Sequence, residues 1–149
     1  MQSTFYVVKQ QDEPDTLNSK TAVPAHFDQA CKLAANLFRE GKRVFIYTES
    51  EQHAHLVDEH LWGFEADAFV PHNLAGEGPR NGAPVEISFK PPSNHRAIMI
   101  NLATLVPGFV SQFRQIIDFV PADEQQKQAA RERYKFYRQC GYQLSTTEM

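Results

Sequence analysis

Short apolar runs rich in β-branched and aromatic residues alternate along this chain with longer stretches of helical periodicity. That alternation restricts the fold more than any other feature. Residues 44–47 read Val-Phe-Ile-Tyr, 85–89 Val-Glu-Ile-Ser-Phe, 97–100 Ala-Ile-Met-Ile and 116–120 Ile-Ile-Asp-Phe-Val. Each has the length and composition of a strand, and residues 4–8 form another at the start. Residues 24–40 carry Phe27, Ala30, Ala34, Leu37 and Phe38 at spacings of three and four, one apolar helix face, which Gly41 stops. Ser50 can cap a shorter helix over 51–61, its hydroxyl taking a free N–H of the first turn. Pro121 and Asp123 open a last helix that runs to about Cys140 and ends at Gly141. Strands alternating with helices predict a largely parallel sheet covered on both faces. The expected architecture is an α/β, Rossmann-like three-layer sandwich, a single domain over residues 1–149.

The connections are read as loops. Residues 10–19 are polar and hold Pro14, residues 72–84 hold three glycines and two prolines, and residues 90–94 form a turn with two prolines. Residues 69–70 are a short extended piece and 109–113 a short helix or turn. Cys31 and Cys140 share no CxxC spacing and lie among apolar neighbours, so both are expected as reduced, buried thiols. The first residues lack the charged and apolar regions of a signal peptide, and no apolar run reaches the length of a membrane span. The expected location is the cytoplasm.

An open α/β sheet invites a search for a nucleotide, and the phosphate motifs fail. Gly41-Lys42 has Asn36 where a P-loop needs its first glycine, and Arg43 where it needs Ser or Thr. Gly76-Glu77-Gly78 has Asn81 where the third glycine of a dinucleotide fingerprint belongs, and it leads toward a strand rather than a helix. His53, His55 and His60 have spacings that diverge around one helix, and neither an HExxH nor a GxSxG motif occurs. No cofactor, metal or catalytic constellation is therefore expected.

The last helix carries the clearest surface signal. Lys127, Arg131, Lys135 and Arg138 are spaced four, four and three, and at about 100° per residue they span an arc of roughly 80°. Tyr134 lies at its edge, and Ala129, Phe136 and Cys140 fall opposite, where they are expected to pack on the sheet. Favourable cations near a helix C-terminus would give a similar pattern on a merely solvated face. Only Glu132 interrupts the positive charge between Lys127 and Arg138, so little pairing along the helix is expected. An exposed tyrosine among cations suits an acidic, partly apolar peptide. The alternative is direct nucleic-acid binding by this helix, although the formal net charge of −3 shows that any basic surface is local.

Specific stretches carry a family resemblance. Residues 69–80, Phe-Val-Pro-His-Asn-Leu-Ala-Gly-Glu-Gly-Pro-Arg, and 82–87, Gly-Ala-Pro-Val-Glu-Ile, resemble the central signature of the chi subunit family of bacterial DNA polymerase III. Asp118-Phe-Val-Pro121, Lys127-Gln128 and residues 130–135 are similar to that family's last helix. The resemblance spans essentially the full length. It implies an α/β domain without catalysis, an adaptor in the clamp-loader assembly. The family pairs with the psi subunit, which links it to the clamp loader, and its psi surface corresponds to Trp62 and Phe69. A helicase-like alternative partner uses that same surface. The family also binds the acidic C-terminal tail of single-stranded DNA-binding protein, a tail ending in an apolar residue and a free carboxylate. By residue match that site comprises Val120, Lys127, Arg131, Tyr134 and Lys135, and DNA is reached only indirectly. From composition alone, Trp62 and Phe69 fit either the core or an exposed anchor.

Overall fold

A computed structural model describes residues 1–9, 23–63, 71–75, 83–92 and 95–148. Its strands are β1 (Gln2–Val7), β2 (Val44–Tyr47), β3 (His72–Leu74), β4 (Val85–Ser88), β5 (Ile98–Asn101), β6 (Gln115–Val120) and β7 (Gln143–Glu148). Its helices are α1 (Ala25–Arg39), α2 (Glu51–Trp62) and α3 (Glu124–Gln139), with a 3-10 turn at Val110–Gln112. The strands form one seven-stranded sheet in the order β3-β4-β2-β5-β6-β1-β7, and every pairing is parallel. The expected Rossmann-like layering is present. Side chains alternate along each strand, so β5 sends Ile98 and Ile100 to the face covered by α1 and α2, and Met99 to the face covered by α3 and the 3-10 turn.

The helix boundaries follow their chemistry. The Ser50 hydroxyl accepts the His53 N–H at 3.2 Å, and an Asp123 carboxylate oxygen accepts the Gln126 N–H at 3.1 Å. Gly41 and Gly141 follow the ends of α1 and α3 with φ of 79° and 91°, the left-handed conformation that a side chain resists. Two strands escape the sequence patterns. β3 lies inside the stretch expected as irregular loop; its His-Asn-Leu has no strand signature and is extended because it pairs with β4, with Asn73 accepting the Ala83 N–H. β7 is a polar, exposed edge strand held by β1, and it lacks the apolar alternation that reveals a half-buried strand. The readings at 10–19 and 69–70, and the Gly76–Gly78 stretch, lie outside the described residues.

α3 requires a correction. Its buried residues are Ala130, Arg133 and Tyr137, whereas Phe136 is 43% exposed, Cys140 is exposed and Ala129 only partly covered. The buried-thiol reading thus holds for Cys31 and fails for Cys140. The cause is a polar group in the sheet. Asp118 on β6 is fully buried. It accepts from Arg133 Nε–H at 3.0 and 3.2 Å, from Arg133 Nη2–H at 3.0 Å and from the Tyr137 hydroxyl at 2.6 Å. It also accepts the Phe119 N–H at 2.6 Å. A buried carboxylate must be paired, so the helix turns Arg133 and Tyr137 inward and leaves Phe136 outside.

Asp118→Asn would strand the Arg133 charge in the interior, and is expected to cost about 3–5 kcal/mol of stability. Tyr137→Phe removes one bond to a charged group and is expected to cost about 1–3 kcal/mol. Urea unfolding monitored by circular dichroism reads both values. An Asp118→Asn protein as stable as the parent would contradict this account of α3.

Candidate functional site

With Arg133 and Tyr137 directed inward, helical geometry puts Lys127, Arg131, Tyr134 and Lys135 roughly 100–200° around α3 from Arg133. The structure brings these four together with Val120, the last residue of β6, around one groove of about 290 Å³. Its remaining lining is Phe5 of β1, Ala130 and Thr146 of β7. All five residues that the family match singled out for the tail site therefore converge. Phe5 and Thr146 were missed: Phe5 looked like any core residue of a strand, and Thr146 belongs to the edge strand that no pattern revealed.

The groove has an apolar base and a cationic rim. Phe5 is buried, and its ring lies 5.4 Å from that of Tyr134 in a tilted contact, with Tyr137 at 5.7 Å on the inner side. Tyr134 is thereby held in place while remaining 36% exposed. The rim is more paired than its sequence implied. Lys127 Nζ lies 3.4 Å from Glu124 and Lys135 Nζ 3.7 Å from Glu132, both solvent-exposed pairs one helical turn apart. Such pairs are weak and exchange readily for a ligand. Arg131 differs: Nη1–H donates to the neutral amide oxygen of Gln128 at 3.1 Å, and no carboxylate among the described residues pairs with it. Arg138 shares the exposed side of α3 but does not line the groove.

Trp62 ends α2 and is 61% exposed, so it is not a core residue. Its indole rests 4.7 Å from the imidazole of His72 on β3, whose Nε2 lies 3.3 Å from Asp58 Oδ1. Phe69, its expected companion, lies outside the described residues.

A larger cleft of about 400 Å³ opens at the carboxyl ends of β5 and β6, the position where α/β sheets of this kind bind ligands. Part of its polar lining is bonded internally, whereas the buried His26 Nδ1 and His53 Nδ1 have no hydrogen-bond partner among the described residues. Asp118, Arg133 and Tyr137 form the network above, the Asn101 amide donates to the Tyr137 hydroxyl at 3.0 Å, and Arg133 Nη1–H donates to the Thr104 carbonyl at 2.9 Å. Burial pushes the Asp118 carboxyl up and the Tyr137 hydroxyl well up, while Arg133 pulls against the first. Half-buried His26 at the cleft wall is pushed down to about 4, by burial first and then by the charges of Arg133 and His53. His55 approaches Glu51 at 3.8 Å and His60 approaches Asp28 at 2.8 Å, so these two helix histidines have separate partners. Among the described residues no group of three His, Cys, Asp or Glu could hold a metal ion, and no helix is long and apolar enough to cross a membrane.

The chain is similar to known proteins over most of its length. The family model for the DNA polymerase III chi subunit, HolC, matches residues 1–145. The DNA polymerase III subunit chi of Escherichia coli K12 is 47% identical over 146 residues, covering 97% of this chain and 95% of that protein. The protein of the same name from Haemophilus influenzae is 49% identical over 119 residues, covering 78% and 83%. That of Pseudomonas aeruginosa is 39% identical over 121 residues, covering 80% and 84%.

The depressed His26 has a consequence for stability. The unfolded chain takes up its proton near 6.5 and the folded chain only near 4, so the unfolded state binds more protons in between. The contribution is complete above 6.5 and is lost as pH falls toward 4, on the order of 3 kcal/mol in all. Urea midpoints measured across that window should fall with acidification, and His26→Gln should flatten the slope. Equal slopes in the two proteins would contradict the assignment.

Proposed function

The chain belongs to the DNA polymerase III chi subunit family, and from that premise we propose that this replication subunit is a non-catalytic adaptor. Its α3 groove holds the acidic C-terminal tail of single-stranded DNA-binding protein. The surface around Trp62 and Phe69 takes the psi subunit, and through it the clamp loader, in the cytoplasm. The observation that carries the reading is the groove itself: Val120, Lys127, Arg131, Tyr134 and Lys135 around one apolar base. A tail that ends in an apolar residue and a free carboxylate needs both halves of that arrangement. Arg131 can grip a carboxylate with two parallel N–H bonds, and Lys127 and Lys135 add point charges that leave Glu124 and Glu132 for the ligand. Tyr134 and Val120 give the terminal side chain an apolar seat above Phe5. A nucleic-acid strand bound by this helix would gain from the cations but would make no use of the base of the groove.

The psi assignment rests on exposure. A tryptophan 61% open to solvent at the end of a helix presents a large apolar surface of the kind that anchors interfaces. The helicase-like alternative partner of the family would compete for the same ring.

Two measurements test the two halves. In titrations of a labelled tail peptide, Arg131→Ala and Tyr134→Ala should each weaken binding by about tenfold or more, a loss on the order of 1–3 kcal/mol. Lys127→Ala and Lys135→Ala should act less, and their effects should shrink with added salt. A peptide lacking its last residue should bind poorly; equal binding would remove the groove from consideration. Separately, Trp62→Ser should abolish psi binding and leave the melting temperature near that of the parent. A large drop in melting temperature, or intact psi binding, would refute the anchor.

A further inference from the structure

A second basic site lies at the amino-terminal end of the sheet. Lys42 and Arg43 lead into β2, His95 and Arg96 precede β5, and Arg114 precedes β6; all five line one cavity of about 420 Å³ that, among the described residues, no carboxylate lines. The site is separate from the α3 groove. It touches Gln115, the first residue of β6, whereas the groove touches Val120, the last. At a rise of about 3.3 Å per residue, the two lie about 16 Å apart along one strand.

The two basic sites differ in chemistry. The α3 groove has aromatic rings at its base, while among the described residues the amino-end cavity has only Ala97 and Ile98 as apolar lining. It offers no seat for an apolar side chain, and its recognition must be of charge. Arg96 is fixed from behind: its side chain is fully buried, Nη2 lies 3.4 Å from Glu86, and Nη1–H donates to the Pro84 carbonyl at 2.9 Å. Lys42 has Glu40 at 3.3 Å in an exposed pair. Arg114 is exposed and has no carboxylate in ion-pair range among the described residues. Burial holds the Arg96 guanidinium below its ordinary value; Glu86 works against this and the charge of Arg43 adds to it. The exposed cations Lys42, Arg43 and Arg114 share this rim, and an anion would relieve their mutual repulsion.

We propose that this amino-end cavity, gathering Lys42, Arg43 and Arg114 beside the buried Arg96, binds backbone phosphates of a nucleic-acid strand. Guanidinium forks match phosphate oxygens in pairs, and an ammonium adds a point charge. A polyanion also tolerates the absence of an apolar seat, since each of its contacts is to charge alone. Because the chain as a whole has a formal charge of −3, attraction at long range is weak. The contact is expected to be local, of low affinity and steeply dependent on salt. It does not depend on the tail-binding reading.

The test is the anisotropy of a labelled oligothymidylate titrated with the full chain at several salt concentrations. The parent should bind at low salt. The double variant Arg43→Gln and Arg114→Gln, both at exposed positions, should bind at least about tenfold more weakly. It should also lower the slope of log K against log salt by about one to two. The same double variant should bind the tail peptide like the parent, and Arg131→Ala should bind the oligonucleotide like the parent. The proposal is overturned if the parent shows no salt-dependent binding, or if the double variant is unchanged. It is also overturned if Arg131→Ala removes oligonucleotide binding as well. Displacement of the oligonucleotide by polyglutamate at equal charge would assign the cavity to an acidic protein, and displacement by inorganic phosphate at equal charge to a small anion; either result overturns the nucleic-acid reading.

Discussion

Asp118 sits near the centre of the chain's penultimate strand with no exposure to solvent, and it accepts hydrogen bonds from Arg133, Tyr137 and its own neighbour's amide. Removing a charge from water is costly unless a partner of opposite sign and further donors come with it. Here the partners come from α3, two of them a helical turn apart. The pairing therefore fixes the rotation of α3 about its axis, and the rotation decides which residues face solvent. Arg133 inward means Lys127, Arg131, Tyr134 and Lys135 outward, above Phe5 and Val120. The cationic, aromatic face of α3 is in this sense a by-product of a buried ion pair.

The same network occupies the end of the sheet that this architecture customarily uses for ligands. The carboxyl ends of parallel strands are where this architecture ordinarily gathers polar groups around a ligand. Here Asp118, Arg133, Tyr137 and Asn101 are gathered at that end and bonded to one another. Groups that satisfy each other in this way rigidify a structure. The proposed recognition surfaces lie elsewhere, on the outer side of α3 and at the exposed end of α2.

Much of this was legible in the residues. The central strands announced themselves as apolar runs because both their faces are buried, and the helix ends followed from Ser50, Asp123, Gly41 and Gly141. The cationic spacing on α3 was also legible, because helical periodicity depends on position alone. What failed were inferences in which polarity stood for exposure. Arg133 and Tyr137 look like surface residues until Asp118 is known to be buried beside them, and Phe136 looks like core until they have taken its place. β3 and β7 are strands only because neighbouring backbone offers them a ladder, and their own side chains carry no sign of it. Thr146 joined the groove unforeseen for that reason.

The central claim is that an acidic tail sits across α3, β1 and β7, in the groove created by the Asp118–Arg133 pair. The most direct measurement is the amide spectrum of the isotope-labelled chain, recorded by NMR during titration with the tail peptide. The account predicts saturable shifts concentrated at Phe5, Val120, Arg131, Tyr134 and Thr146, with the cleft residues His26 and Asn101 and the Trp62 surface unmoved. Shifts centred on that cleft or on Trp62, with α3 silent, would contradict it.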